Sequence, residues 1–240
     1  MGLIVFILVI TIAVYIHEMG HYIACRALRV PVGEFSVGFG TKLISKKAFG
    51  TEWNLRLIPL GGYILPNAEV HDNVAPWKKA VIAVAGPVAN LLPFAALLVY
   101  SAGILATIRI FGAMYWQTAK AFLSLFLIPL NAFGLFMPDA KAGSIIGPVG
   151  IGQTAVHATA QVGMLSTGIS LFIMLSIGLA MANLLPIVPL DGGRIVLAGV
   201  EKVFGKAKAE TTRNWMLAIG GSALAFFIIV IMIRDISRLF

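Results

Sequence analysis

Ile16-His17-Glu18-Met19-Gly20-His21 sets an H-E-x-x-H pattern inside an otherwise uncharged, apolar run that extends from the N-terminus to Cys25. Residues four apart share one face of a helix, so His17 and His21 can hold a single metal ion while Glu18, one position along, points beside it. A lone histidine in an apolar helix is more often a satisfied core residue than a ligand. The setting decides otherwise here. Ionisable side chains cost roughly 2.5 to 3.5 kcal/mol each at mid-membrane on insertion scales, and His17, Glu18 and His21 crowd into little more than one helical turn. The pattern reads as a hydrolytic zinc site, which needs a third protein ligand and an open position for water. An Asp, Glu, His or Cys must therefore reach the same depth from elsewhere in the chain.

Composition bounds what that chain can be. Of its 240 residues 59% are hydrophobic and 12% charged, and the mean hydropathy is +0.95. These values imply an integral membrane protein with no stretch polar enough for a separate soluble domain, so residues 1–240 read as a single membrane-embedded domain. The formal charge of +8 would suggest nucleic acid in a soluble protein. In a membrane protein it points to loops facing anionic lipid, and no nucleic-acid partner is expected. The single cysteine, Cys25, excludes an internal disulfide and reads as a packing residue. The first apolar run has no basic n-region, and its histidines and glutamate would be odd in a segment destined for removal, so it reads as a mature span.

The expected fold class is membrane α-helical. It comprises about four transmembrane helices, a membrane-associated β-hairpin or β-loop, and one interfacial or re-entrant helix. The spans are placed at about 3–25, 80–107, 164–185 and 214–233. Between the first two, Glu34-Phe35-Ser36-Val37-Gly38-Phe39-Gly40 and Trp53-Asn54-Leu55-Arg56-Leu57 alternate apolar with polar or small residues around the turn material Ala48-Phe49-Gly50-Thr51. That places a β-loop at about 35–64. An isolated hairpin is marginal in water, so it is expected to lie on or between the helices. Gly86-Pro87 and Pro93 interrupt the second span, which also carries Asn90. For that amide two readings stay open, a helix-to-helix hydrogen bond or a contact with substrate or oxyanion. Residues 115–136 are apolar enough to cross, yet Gln117, Lys120, Pro129 and Asn131 interrupt them, so an interfacial or re-entrant path is equally consistent.

The third span ends in Asn183-Leu184-Leu185-Pro186-Ile187-Val188-Pro189-Leu190-Asp191-Gly192-Gly193-Arg194. Irregular backbone at membrane depth is tolerated where it lines a cavity, and Asp191 is the carboxylate at its centre. It is the best third ligand. Topology supports the pairing: residues 26–79 and 194–213 carry thirteen of the 18 lysines and arginines, which assigns both stretches to the cytoplasmic side. Spans one and three then run the same way, with His17, His21 and Asp191 all toward the inner leaflet. A full crossing by residues 115–136 alone would invert span three and break the site. His71 and His157 have no partner at ligand spacing and read as surface or packing residues.

With these motifs in place, the sequence resembles the site-2 protease family of intramembrane zinc metalloproteases, particularly the bacterial branch that cleaves anti-sigma factors. The resemblance is carried by His17-Glu18-Met19-Gly20-His21, Gly38-Phe39-Gly40, Ile58-Pro59-Leu60-Gly61-Gly62-Tyr63, Gly86-Pro87-Val88-Ala89-Asn90, Gly147-Pro148-Val149 and the Asn183 to Gly193 segment, in the family's order over most of the chain. It implies one Zn2+ held by His17, His21 and Asp191, Glu18 as catalytic base, and Asn183 near the substrate or developing oxyanion. It further implies a β-loop that pairs with an unwound substrate strand, a single-span membrane protein such as an anti-sigma factor as substrate, and residence in a bacterial inner membrane with the active site toward the cytoplasm. One departure is plain. The branch commonly carries PDZ modules between spans two and three, and residues 108–143 are too few to contain one. A metal-dependent but non-proteolytic membrane protein, either a scaffold that binds transmembrane helices or a transporter, would be the alternative, but spans one and three show no internal repeat and Glu18 would have no duty in a mere binder.

Overall fold

A computed structural model of the chain describes residues 2–66, 74–126, 151, 156–161, 163–226 and 228–229. Three of its helices are long and apolar enough to cross a membrane: α1 (Gly2–Ala27), the Pro76–Ala96 part of α2 (Pro76–Ala102), and α4 (Met164–Asn183). On α1, Val5, Phe6, Val9 and Ala13 are buried against the protein while Leu3, Ile4, Leu8 and Ile12 are exposed. Both faces are apolar, so the outer one is suited to lipid rather than water. Val5, Phe6 and Val9 meet Leu171 of α4 in one apolar cluster, which aligns the two helices side by side. A membrane helical protein with an added β-hairpin, as expected, is the architecture.

Several boundaries differ from expectation. The second span was placed at 80–107, but α2 ends at Ala102 and α3 (Ile104–Phe126) begins directly after Gly103. That glycine takes φ +84°, a left-handed conformation that lets the chain turn, so residues 104–107 belong to the next helix. The breaks expected at Pro87 and Pro93 do not occur, since both lie inside α2. Each proline withholds one backbone N–H, which a membrane helix tolerates where neighbouring helices cover the freed carbonyl. Residues 115–126 of the ambiguous segment continue α3, and 127–136 lie outside the described residues. The fourth expected span, 214–233, overlaps the end of α6 (Lys206–Met216) and a π-helical turn, Leu217–Gly221, and is helical through residue 226. Residues 227 and 230–233 of it are outside the description, as are His71 and Gly147-Pro148-Val149. His157 is exposed on a short helical stretch at 156–161.

Two long strands, β1 (Val32–Ala48) and β2 (Thr51–Pro66), form the sheet. Their tip is an antiparallel hairpin that closes at Ala48 opposite Thr51. The first half of β1 then lies in the middle, because β2 doubles back: Phe35 is opposite both Trp53 and Ile64, and Ser36 opposite both Asn54 and Tyr63. Glu34 ties these layers together. Its Oε1 accepts hydrogen bonds from Arg56 Nη2 at 2.7 Å, Asn54 Nδ2 at 2.8 Å and Tyr63 Oη at 2.9 Å. Burial alone would raise the Glu34 carboxyl, but Arg56, Tyr63 and Asn54 outweigh it and hold it below the usual carboxylate range.

The sheet is fastened to the end of α1 by aromatic rings. Phe35 lies 4.6 Å from Trp53 and 5.8 Å from Tyr22, centroid to centroid, and Cys25, Val30, Val32, Val37, Val74 and Ile82 complete the cluster. Burying a ring such as Phe35 contributes about 1.5 to 3 kcal/mol. The cluster therefore sets the height of the sheet along α1. A second tether joins α2 to α5 (Asp191–Phe204), where Lys79 Nζ donates to both carboxylate oxygens of Glu201 at 2.9 and 2.8 Å.

Candidate metal centre

His17 and His21 occupy successive turns of α1, and both are buried. Asp191 reaches them from the first turn of α5, where the helix N-terminus favours a carboxylate. Local backbone explains the placement. After α4 the chain makes a tight turn, with Leu190 N donating to Ile187 O at 2.8 Å, and α5 starts against it. A Cβ on Gly192 would lie 2.2 Å from Leu185 O, and one on Gly193 2.5 Å from the Ile187 carbonyl carbon. Only glycines fit there, which is why the double glycine follows the aspartate.

Three donor atoms converge. His17 Nε2 is 3.0 Å from Asp191 Oδ2, His21 Nε2 is 3.2 Å from the same oxygen, and the two Nε2 atoms are 3.2 Å apart. His21 Nδ1 donates to Ile82 O at 2.7 Å, so the neutral ring carries its lone pair on Nε2, facing a carboxylate oxygen that also only accepts. A cation placed among these atoms would satisfy all three at once. Gly86 of α2 leaves the room, since a Cβ there would lie 2.3 Å from His21 Nε2 and 2.9 Å from His17 Nε2. Two imidazoles and one carboxylate form a group that could hold a metal ion, and this nitrogen and oxygen donor set suits zinc. Arg194 Nη1 stands 3.7 Å from Asp191 Oδ1, the oxygen turned away from the histidines.

The group opens on a cavity of about 280 Å3. Glu18 lines it beside both histidines, as do Asn183, Gly62 and Tyr63. Asn183 Nδ2 donates to Leu179 O one turn back on α4 at 3.0 Å. Asn90 is not among the cavity-lining residues; it is 1% exposed, within α2. The contributions of Gly86 and Ile82 were not evident from sequence, because neither residue type marks a metal site. The proximity of Gly86 to the motif residues could have been sought only through its pairing with the following proline.

A family model described as Peptidase family M50 matches residues 5–228. A relative from Rickettsia conorii, whose name is that of an inferred zinc metalloprotease, is 26% identical over 361 aligned residues covering 100% of this chain and 99% of that protein. A similarly named protein of Vibrio cholerae is 31% identical over 180 residues, 67% of this chain and 40% of that protein. One from Neisseria meningitidis is 43% identical over 103 residues, 37% of this chain and 23% of that protein. The chain thus spans nearly all of the first relative and less than half of the other two.

Proposed function

The chain belongs to peptidase family M50, the site-2 protease family, and on that premise we propose that this zinc metalloprotease hydrolyses a peptide bond within or beside the transmembrane segment of a single-span membrane protein. The observation that carries the proposal is the meeting of Glu18 with His17, His21 and Asp191 on one cavity between membrane-length helices. His17, His21 and Asp191 would hold one zinc ion per chain. Bound there, zinc supplies a Lewis acid that polarises a carbonyl and makes water acidic near neutral pH.

The remaining work falls to the chain's own groups. Glu18 accepts a proton from the attacking water at its carboxylate and returns it to the leaving amine. The amide nitrogen of Asn183 has two hydrogens; one is bound to Leu179 O, and the other is free to donate to the oxyanion forming on the scissile carbonyl. A helical substrate hides its carbonyls in its own hydrogen bonds and must unwind before attack. Residues 62–66 pair with β1 on one side only among the described residues, and Gly62 and Tyr63 reach the cavity. An extended substrate adds to that open edge, regaining the backbone hydrogen bonds it lost on unwinding.

The chain acts as one membrane-embedded domain in contact with lipid, on a substrate such as an anti-sigma factor. The lysine and arginine excess of residues 26–79 and 194–213 supports an active site toward the cytoplasm, and the bacterial relatives support a bacterial inner membrane. The test uses purified full-length protein in proteoliposomes with a panel of single-span peptides, products being mapped by mass spectrometry. Wild type is expected to release fragments, and Glu18→Gln to keep zinc but release none. Equal cleavage by Glu18→Gln refutes the assignment, and zinc flux without cleavage favours a transporter.

A further inference from the structure

Among the described residues, three polar groups on the three membrane-length helices are buried without a hydrogen-bond partner: His17 Nδ1 on α1, both amide atoms of Asn90 on α2, and Ser176 Oγ on α4. Asn90 and Ser176 are 1% and 0% exposed. Leaving an amide buried and unpaired costs about 1 to 3 kcal/mol, so such groups ordinarily have a task.

The helix registers bring them to one level. Along α2, Ile82 O receives His21 Nδ1–H, Gly86 faces the Nε2 atoms of His21 and His17, and Asn90 follows one turn further on the same face. Successive turns of α2 therefore climb from His21 to His17 and past it. Along α4, Gly168 and Leu171 lie against Val5 and its neighbours, while Leu179 and Asn183 reach the cavity at Val14 and His17. Ser176 lies one turn before Leu179 on α4, as Ala13 lies one turn before His17 on α1, and both are buried. A histidine that binds metal nearly always donates its other ring N–H to a carbonyl, carboxylate or water. His21 does so to Ile82; His17 does not.

We propose that Asn90 is the positioning residue for His17: its side-chain carbonyl receives the Nδ1–H of that ring through one buried water, which the Ser176 hydroxyl also binds. The contact fixes the tautomer with Nε2 unprotonated toward Asp191 and leaves the Asn90 amide nitrogen to close the small network with Ser176. Asn90 thus serves the metal ligand from behind and does not touch substrate. This inference rests on the metalloprotease reading of the same site.

Zinc affinity measured by chelator competition on the purified full chain tests it, with the visible spectrum of the cobalt-loaded protein as a second readout. Asn90→Leu, which keeps volume but removes the acceptor, is expected to weaken zinc binding about 10- to 100-fold and to alter the cobalt spectrum. Asn90→Asp restores an acceptor and is expected to return affinity to within a few-fold of wild type. Should Asn90→Leu fail to fold, Asn90→Ala carries the same expectation. Wild-type affinity in the variant that lacks the acceptor overturns the proposal, and so does equal weakening by Asp and Leu, which would mean a packing role. A wild-type chain that binds no zinc overturns the metalloprotease reading itself, a result distinct from both.

Discussion

Replacing Gly86 with alanine would place a methyl carbon where the metal ligands converge. The new atom would lie 2.3 Å from His21 Nε2 and 2.9 Å from His17 Nε2, whereas unstrained contacts between heavy atoms begin near about 3.5 Å. The overlap is roughly 1 Å, and two responses can relieve it. If α2 withdraws by that amount, the 2.7 Å contact between His21 Nδ1 and Ile82 O opens past hydrogen-bond range. Loss of such a support for a ligand typically costs 10- to 100-fold in metal affinity. If instead the rings rotate, both Nε2 atoms leave the place where they converge with Asp191 and where a zinc ion would be held, and the loss is larger. Gly86→Ala is therefore expected to weaken zinc binding by about 100-fold or more in chelator competition. Overpacking should cost about 1 to 3 kcal/mol of stability, read as a lower unfolding temperature in detergent. Gly178→Ala is the control, since a Cβ there meets nothing within 4 Å; it should bind zinc as wild type does. Wild-type zinc affinity in Gly86→Ala would refute the placement of α2 against the ligands.

Two more predictions follow from the tethers. Lys79→Met leaves the half-buried Glu201 carboxylate without its partner and should lower stability by about 1 to 3 kcal/mol, while Lys79→Met combined with Glu201→Leu should recover most of it; a double-mutant cycle of thermal unfolding shows no coupling if the pair does not hold α5 to α2. Glu34 has a folded pKa below its ordinary 4.5, so its stabilising contribution is complete above pH 4.5 and is lost as pH falls through the lowered value. The wild-type unfolding temperature should thus fall more steeply below pH 4.5 than that of Glu34→Gln, and parallel pH curves for the two proteins would remove Glu34 from the account.

What could be read before the fold was known follows from the range over which each signal acts. The four-residue spacing of His17 and His21 is a local property of one helix, so their shared face was legible. Asp191 was legible for a different reason: proline and glycine flank one carboxylate in a chain with few charges, and only a cavity makes such a segment tolerable in a membrane. The β-loop announced itself by alternation. Its doubling back did not, because the pairing of Phe35 with both Trp53 and Ile64 depends on a bend, and period alone says nothing about which strands become neighbours. The end of α2 at Ala102 was missed because residues 104–107 are as apolar as those before them, and hydropathy does not register a turn at one glycine. Pro87 and Pro93 misled in the other direction. The usual rule that proline ends a helix is learned in water, and it weakens where neighbouring helices cover the freed carbonyl. Gly86 and Ile82 contribute backbone and empty space to the metal group, properties that no side-chain pattern encodes.

The candidate metal ligands are far apart in sequence, His17 and Asp191 being 174 positions apart. During synthesis the histidines and Glu18 enter the bilayer with the first helix, while the aspartate is still to be translated. A nascent chain therefore lacks the three-residue group, which is complete only when α5 comes to rest against α1. Late completion of the group would itself act as a safeguard, since an unfinished chain cannot assemble it.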